Sequence, residues 1–173
     1  MQRSWRIDGD KLTFIICSQD PAHGEPLGEN MVGDVNLFLT RDGDSATDSG
    51  IVGELELMIA EQRMRGKGLG RAGLLAFLKF ITSHQEEILE EYNKHGGGSK
   101  GGLLEYLRVR IGEGNRGSIG LFESLGFRKV REEANYFGEV ELRIVALVGD
   151  VVDGLMERYG VLGYREAEYR REA

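Results

Sequence analysis

Residues 58–73 read MIAEQRMRGKGLGRAG and gather four cationic side chains and four glycines into one short stretch of a chain whose formal net charge is -7. Glycines between a strand end and a helix start let backbone N–H groups approach a ligand closely, and the helix N-terminus adds roughly half a positive charge. Such a loop suits a phosphate. Two phosphate motifs nevertheless fail here. A P-loop requires G-x-x-x-x-G-K-[ST], but Lys67 is followed by Gly68, so the hydroxyl that would bind magnesium is missing. The dinucleotide fingerprint G-x-G-x-x-G fails because Gly66, Gly68 and Gly70 are evenly spaced and no acidic strand end follows about twenty residues on. The pattern that fits is [QR]-x-x-G-x-[GA], with Arg65, Gly68 and Gly70 in the fixed positions.

The elements around the loop follow from periodicity. KLTFIICS (11–18) and VGDVNLFLT (32–40) read as strands, the second alternating Val35, Leu37 and Leu39 against Asp34 and Asn36. A third strand, GELELMIA (53–60), leads into the loop with Leu55, Leu57 and Ile59 on one face and Glu54, Glu56 and Met58 on the other, so two carboxylates share a face. After the loop, Leu74, Leu75, Leu78, Ile81, Ile88, Leu89 and Tyr92 fall at helical spacing, which predicts one helix ending near the low-complexity run NKHGGGSKGG. Residues 93–102 read as a flexible glycine-rich insertion. LLEYLRVRI (103–111) returns as a strand. EGNRGSIGLFESLGF (113–127) predicts a turn, Asn115 as N-cap of a short helix carrying Ile119 and Phe122, and a stop at Gly126. YFGEVELRIVALV (136–148) is the last strand. From Asp150, Val151, Val152, Leu155, Met156 and Tyr159 share a helical face, and a charged end, REAEYRREA, frays. The expectation is one α/β domain over residues 1–148 and a helical, charged tail over 149–173.

Composition narrows the function. At 173 residues, 40% hydrophobic and 29% charged, the chain can bury one core and is no disordered segment. Its net negative charge disfavours a general nucleic-acid binder. One cysteine, Cys17, excludes an intrachain disulfide and a thiolate metal cluster, and His23, His84 and His95 lack ligand spacing, so no metal is expected. Neither a signal core nor a run of about 20 apolar residues is present, and the expected location is the cytoplasm or nucleus, without membrane contact.

The loop, placed between a glutamate-bearing strand and a helix, resembles the coenzyme A pyrophosphate loop of the Gcn5-related N-acetyltransferases (GNAT). GNRGSIGLFESLGF resembles that family's second landmark, an asparagine followed by a small residue, an aliphatic, an aromatic and LGF. MVGDVNLFLT, MIAE with RGKGLG, and IGEGN with the SI, LF and LGF that follow are similar to the N-acetyltransferase 9-like branch, over about Gln2 to Val145. The resemblance implies a mixed, mostly antiparallel sheet with helices on both faces, entered at the family's second strand. It also implies acetyl-CoA as cosubstrate and a protein, peptide or small amine as acceptor.

Site residues follow from the same resemblance. Backbone N–H groups of Arg65, Gly66, Lys67, Gly68, Leu69, Gly70 and Arg71 would cradle the pyrophosphate. Met58, Ile59 and Ala60 would pair with the pantetheine arm, and Asn115, with Ser118 and Phe122 in the short helix after it, would flank that arm. Glu54 holds the place of the family's general base, with Glu56 as the alternative on the same face, unless both only pair with a neighbouring strand. Two departures stand out. Phe122 occupies the place of a tyrosine that protonates the leaving thiolate, and a phenyl ring has no proton to give, which leaves core packing for Phe122 and Tyr136 as a substitute donor. Relatives of this branch also begin with a further strand and helices that help to wall the acceptor groove. A coenzyme-binding module with little or no turnover is therefore the rival expectation.

Overall fold

The computed structural model describes residues 8–18, 30–41, 50–95, 101–145 and 147–167. His23 and the centre of the glycine-rich insertion lie outside them.

Every second residue of β2 (Met31–Arg41), namely Val35, Leu37 and Leu39, is buried, and Leu37 faces the equally buried Leu55 of β3 (Gly50–Ile59). This alternation gives the sheet one apolar face. With β1 (Lys11–Cys17), β4 (Leu103–Gly112), β5 (Arg128–Lys129) and β6 (Glu139–Val145), these strands form a six-stranded sheet in the order β1-β2-β3-β4-β6-β5. Among the described residues only β3 and β4 pair in parallel, and the helices between them provide the crossover that a parallel pair needs.

Among the described residues four α-helices accompany the sheet: α1 (Leu69–Ser83), α2 (Gln85–His95), α3 (Arg116–Ser124) and α4 (Gly149–Arg158). Leu74, Leu75, Phe77, Leu78 and Ile81 of α1 are the buried stripe, and each fully buried apolar side chain contributes about 1.5–3 kcal/mol. Leu89 and Tyr92 of α2, Phe122 of α3, and Val152 and Met156 of α4 join them in one core with Leu37, Leu55, Leu107, Val109 and Leu142. Helices were expected on both faces. Among the described residues, all four pack into this single core, and the opposite face of the sheet presents Thr13, Asp34, Asn36, Glu54, Glu56, Arg108, Arg110, Glu141 and Arg143.

Two details depart from the sequence reading. The helix expected to run unbroken through Tyr92 is interrupted at His84, whose φ of -122° and ψ of 24° leave the helical region. Ile81, Thr82 and Ser83 are weak helix formers, and the Thr82 hydroxyl bonds back to the carbonyl of Lys79. The break turns α2 so that Leu89 and Tyr92 reach the core. The last strand begins at Glu139, because the side chain of Asn135 accepts from the N–H groups of Phe137 and Glu139 and Gly138 adopts φ 74°. Past α4, Val161 and Tyr164 pack against the core; of the charged end expected to fray, residues 165–167 are exposed and the final six lie outside those described.

Candidate functional site

The parallel ladder between β3 and β4 runs from Gly50 opposite Leu103 to Glu54 opposite Arg108 and then stops. Beyond that rung, β3 stays paired with β2 as far as Ile59, and β4 stays paired with β6 as far as Gly112. The two central strands therefore part, and residues 55–59 lose a neighbour on their β4 side.

Above this parting lies the glycine loop. Gly66 and Gly68 have φ of 72° and 85°, in the left-handed region that favours glycine, and Gly68 is the N-cap of α1. A Cβ built at either position would meet nothing within 4 Å, so the space over both is open for a ligand. A short 3-10 turn, Gln62–Met64, carries the chain from β3 into the loop. Arg65 fixes that approach. Its Nε donates to the carbonyl of Ile59 at 2.7 Å, so its side chain ties the loop to the end of β3. Across the gap, Asn115 caps α3 by accepting from Ser118 N–H at 3.2 Å.

These parts meet in one cleft of about 630 Å³, lined by Leu57, Met58, Ile59, Met64, Arg65, Gly66, Gly68, Gly70, Arg71, Asn115, Gly117, Ser118 and Leu121. Nine residues expected from the sequence are thus brought together: Met58, Ile59, Arg65, Gly66, Gly68, Gly70, Arg71, Asn115 and Ser118. Four are not among the lining. Ala60 gives its N–H to the carbonyl of Val32 at 2.8 Å, which keeps it on the β2 side. Lys67 is exposed and Leu69 begins α1, both outside the cleft wall. Phe122 is 2% exposed and stacks edge-on against Phe127 with ring centres 5.1 Å apart, so it is a core residue and Leu121 takes the cleft side of the helix.

The two carboxylates of β3 have different surroundings. Glu54 receives Arg108 Nε at 2.7 Å and Arg110 Nη1 at 3.4 Å, and Arg110 continues to Glu141 at 3.5 Å. Glu54 therefore stitches β3 to β4 at the last rung before the strands part. Glu56, one step nearer the cleft on the same face, is exposed and lies opposite Asn36. Asn36 is the one buried polar residue among those described; it accepts from the Thr13 hydroxyl and donates to Asp34, both at 2.7 Å. Asp34 in turn lies opposite Met58. The alternation of Asp34 and Asn36 in β2 was visible in the sequence, but only strand pairing reveals that they lie opposite Met58 and Glu56. Tyr136, the substitute donor, is 96% exposed on the β5–β6 connection and does not line the cleft.

The residues present fit a coenzyme with an elongated phosphate-bearing chain: N–H groups at a helix start, an unpaired strand edge leading inward, and a cationic rim. A larger groove of about 710 Å³ lies beside Phe14, Phe77, Phe80 and Tyr164. It is mainly apolar, and none of the described helices begins in its lining.

Solved acetyltransferases share the fold of this chain. Arabidopsis thaliana NAA60 in complex with a bisubstrate analogue superimposes with a TM-score of 0.54, covering 80% of this chain and 77% of that one at 15% identity. The spermidine/spermine N-acetyltransferase SpeG of Vibrio cholerae also gives 0.54, covering 90% and 74% at 15% identity. At such identities the likeness concerns the fold. The chain belongs to the acetyltransferase (GNAT) domain family, which it matches over residues 1–128. Within that family its relatives are N-acetyltransferase 9-like proteins. The one from Schizosaccharomyces pombe is 37% identical over 84% of this chain and 74% of its own length. The human protein named alpha/beta-tubulin-N-acetyltransferase 9 is 39% identical over 83% of this chain, which spans 60% of that relative.

Proposed function

We propose that the chain binds acetyl-CoA in the cleft between β3 and β4 and transfers the acetyl group to an amine of a protein. The supporting observation is that one cleft unites the glycine loop, the unpaired edge of β3 and the capped start of α3. Acetyl-CoA supplies an acetyl group activated as a thioester. N–H groups at the start of α1 hold the phosphates, and the stretch of β3 without a β4 partner, residues 55–59, orients the chain leading to the thioester. The acceptor amine approaches from the sheet face that carries Glu56 and Asp34. Glu56, exposed and adjacent to Met58, accepts the amine's proton, while Glu54 holds the strands together through Arg108. The names of the human and fly relatives include tubulin, so tubulin is the first protein acceptor to try.

A thiol-release assay with acetyl-CoA and tubulin, together with CoA calorimetry, tests this reading. Glu56→Gln should lower kcat by ~10²- to 10⁴-fold with CoA affinity retained, the range expected of a general base. Loss confined to Glu54→Gln would return the role to Glu54. A second reading, a coenzyme-binding module without turnover, is favoured by one observation: among the described residues no tyrosine lines the cleft. Tight CoA binding without transfer to tubulin, peptides or polyamines would establish it.

A further inference from the structure

Arg71, in the first turn of α1, lines the cleft beside Gly68 and Gly70, and its Nε is buried and has no hydrogen-bond partner among the described residues. A buried guanidinium N–H without an acceptor is unfavourable, and a bound anion is one way to satisfy it. The guanidinium is not loose. Its central carbon sits 4.3 Å from the centre of the Tyr159 ring, which follows the last turn of α4. The Tyr159 hydroxyl donates to the carbonyl of Ser124 at the end of α3, at 3.0 Å, and Lys79 of α1 meets Asp153 of α4 at 2.7 Å. The ring is therefore fixed from both neighbouring helices. Stacking occupies the flat face of a guanidinium and leaves its in-plane N–H groups free, which is the geometry that receives two oxygens of a phosphate.

We propose that Tyr159, and with it α4, is part of the coenzyme site: its ring is the platform that aims Arg71 at a phosphate of CoA. This rests on the reading that the cleft takes CoA, and it extends that site to a helix outside the residues matched by the family. Tyr159 is a positioning residue that acts through Arg71. The phosphate is the pyrophosphate or the 3′-phosphate, and 3′-dephospho-CoA separates the two.

The test is calorimetric titration of the full chain with CoA, with melting of each free variant measured alongside. Tyr159→Leu should weaken CoA binding by about 2- to 30-fold, the range spanned by an exposed to a desolvated cation–π contact. Tyr159→Phe, which keeps the ring and loses the bond to Ser124, should restore most of that affinity. In an Arg71→Gln background, Tyr159→Leu should cause no further loss, because nothing remains to be aimed. If the loss persists with 3′-dephospho-CoA, the pyrophosphate is the partner; if it vanishes, the 3′-phosphate is. Unchanged CoA affinity in Arg71→Gln overturns the proposal even where Tyr159→Leu fails to fold. Independent losses in the double variant overturn it as well. Failure of the unaltered chain to bind CoA would instead overturn the reading of the cleft itself.

Discussion

Replacing Gly68 with alanine separates the cost of a backbone conformation from the cost of blocking a ligand. Gly68 sits at φ 85° and ψ -7° as the N-cap of α1, and an L-residue in the left-handed region costs about 1–2 kcal/mol. No packing penalty adds to this, because a Cβ at Gly68 meets nothing within 4 Å. For a chain of this size, 1–2 kcal/mol corresponds to a fall of about 2–8 °C in Tm. Such a loss leaves the protein folded at 25 °C and does not by itself weaken binding. The same methyl group projects into the open space over the loop, where a phosphate must come close to the backbone. CoA affinity should therefore drop by more than about tenfold, or 1.4 kcal/mol, beyond any change in folding. Melting of the free protein and calorimetry with CoA measure the two effects separately. A lower Tm with unchanged CoA affinity would refute the placement of the phosphates at this loop. A Tm loss well beyond 8 °C would show that the backbone argument misjudges the position.

Gly33→Ala should behave differently: its Cβ would lie 2.0 Å from the Met58 carbonyl oxygen and 3.0 Å from Ile59 Cα, both backbone atoms, so β2 and β3 must separate. A stability loss of about 1–3 kcal/mol is expected in urea melts, with weaker CoA binding because Met58 and Ile59 move; a variant as stable as the parent would contradict the close approach. The tail offers a pH test. A hydrogen bond from Tyr164, and then one from His84 at 2.7 Å, hold Glu166 below its ordinary value of 4.5. A depressed carboxylate contributes stability above its unfolded value and loses it as pH falls through the folded one, so the docking of the Glu166 segment, followed by the amide shift of Glu166, should hold at neutral pH and weaken only below the ordinary glutamate range. Tyr164→Phe should move that loss to higher pH, and an unmoved midpoint would remove Tyr164 as the cause.

Much of this was legible in the sequence because it is local. The alternation of Val35, Leu37 and Leu39, the cap at Asn115 and the stop at Gly126, which has φ 99°, each depend on residues within a few positions. The loop was readable for the same reason, since Arg65, Gly68 and Gly70 form one short pattern. What escaped is non-local. Whether Glu54 or Glu56 is accessible depends on Arg108 and Arg110 in a strand separated by two helices. The contact of Tyr159 with Arg71 joins residues that no short pattern connects. The break at His84 was missed because the apolar spacing continues across it, while Thr82, bonding back to Lys79, and weak helix formers beside it decide the geometry.

The central claim, that coenzyme lies in the β3–β4 cleft under the glycine loop, is tested most directly by amide shifts in the ¹⁵N-labelled protein titrated with CoA. The largest changes should fall on residues 65–71, on Met58 and Ile59, and on residues 115–118. Changes concentrated instead around Phe14, Phe77 and Tyr164, where the larger apolar groove lies, or none at saturating CoA, would contradict it.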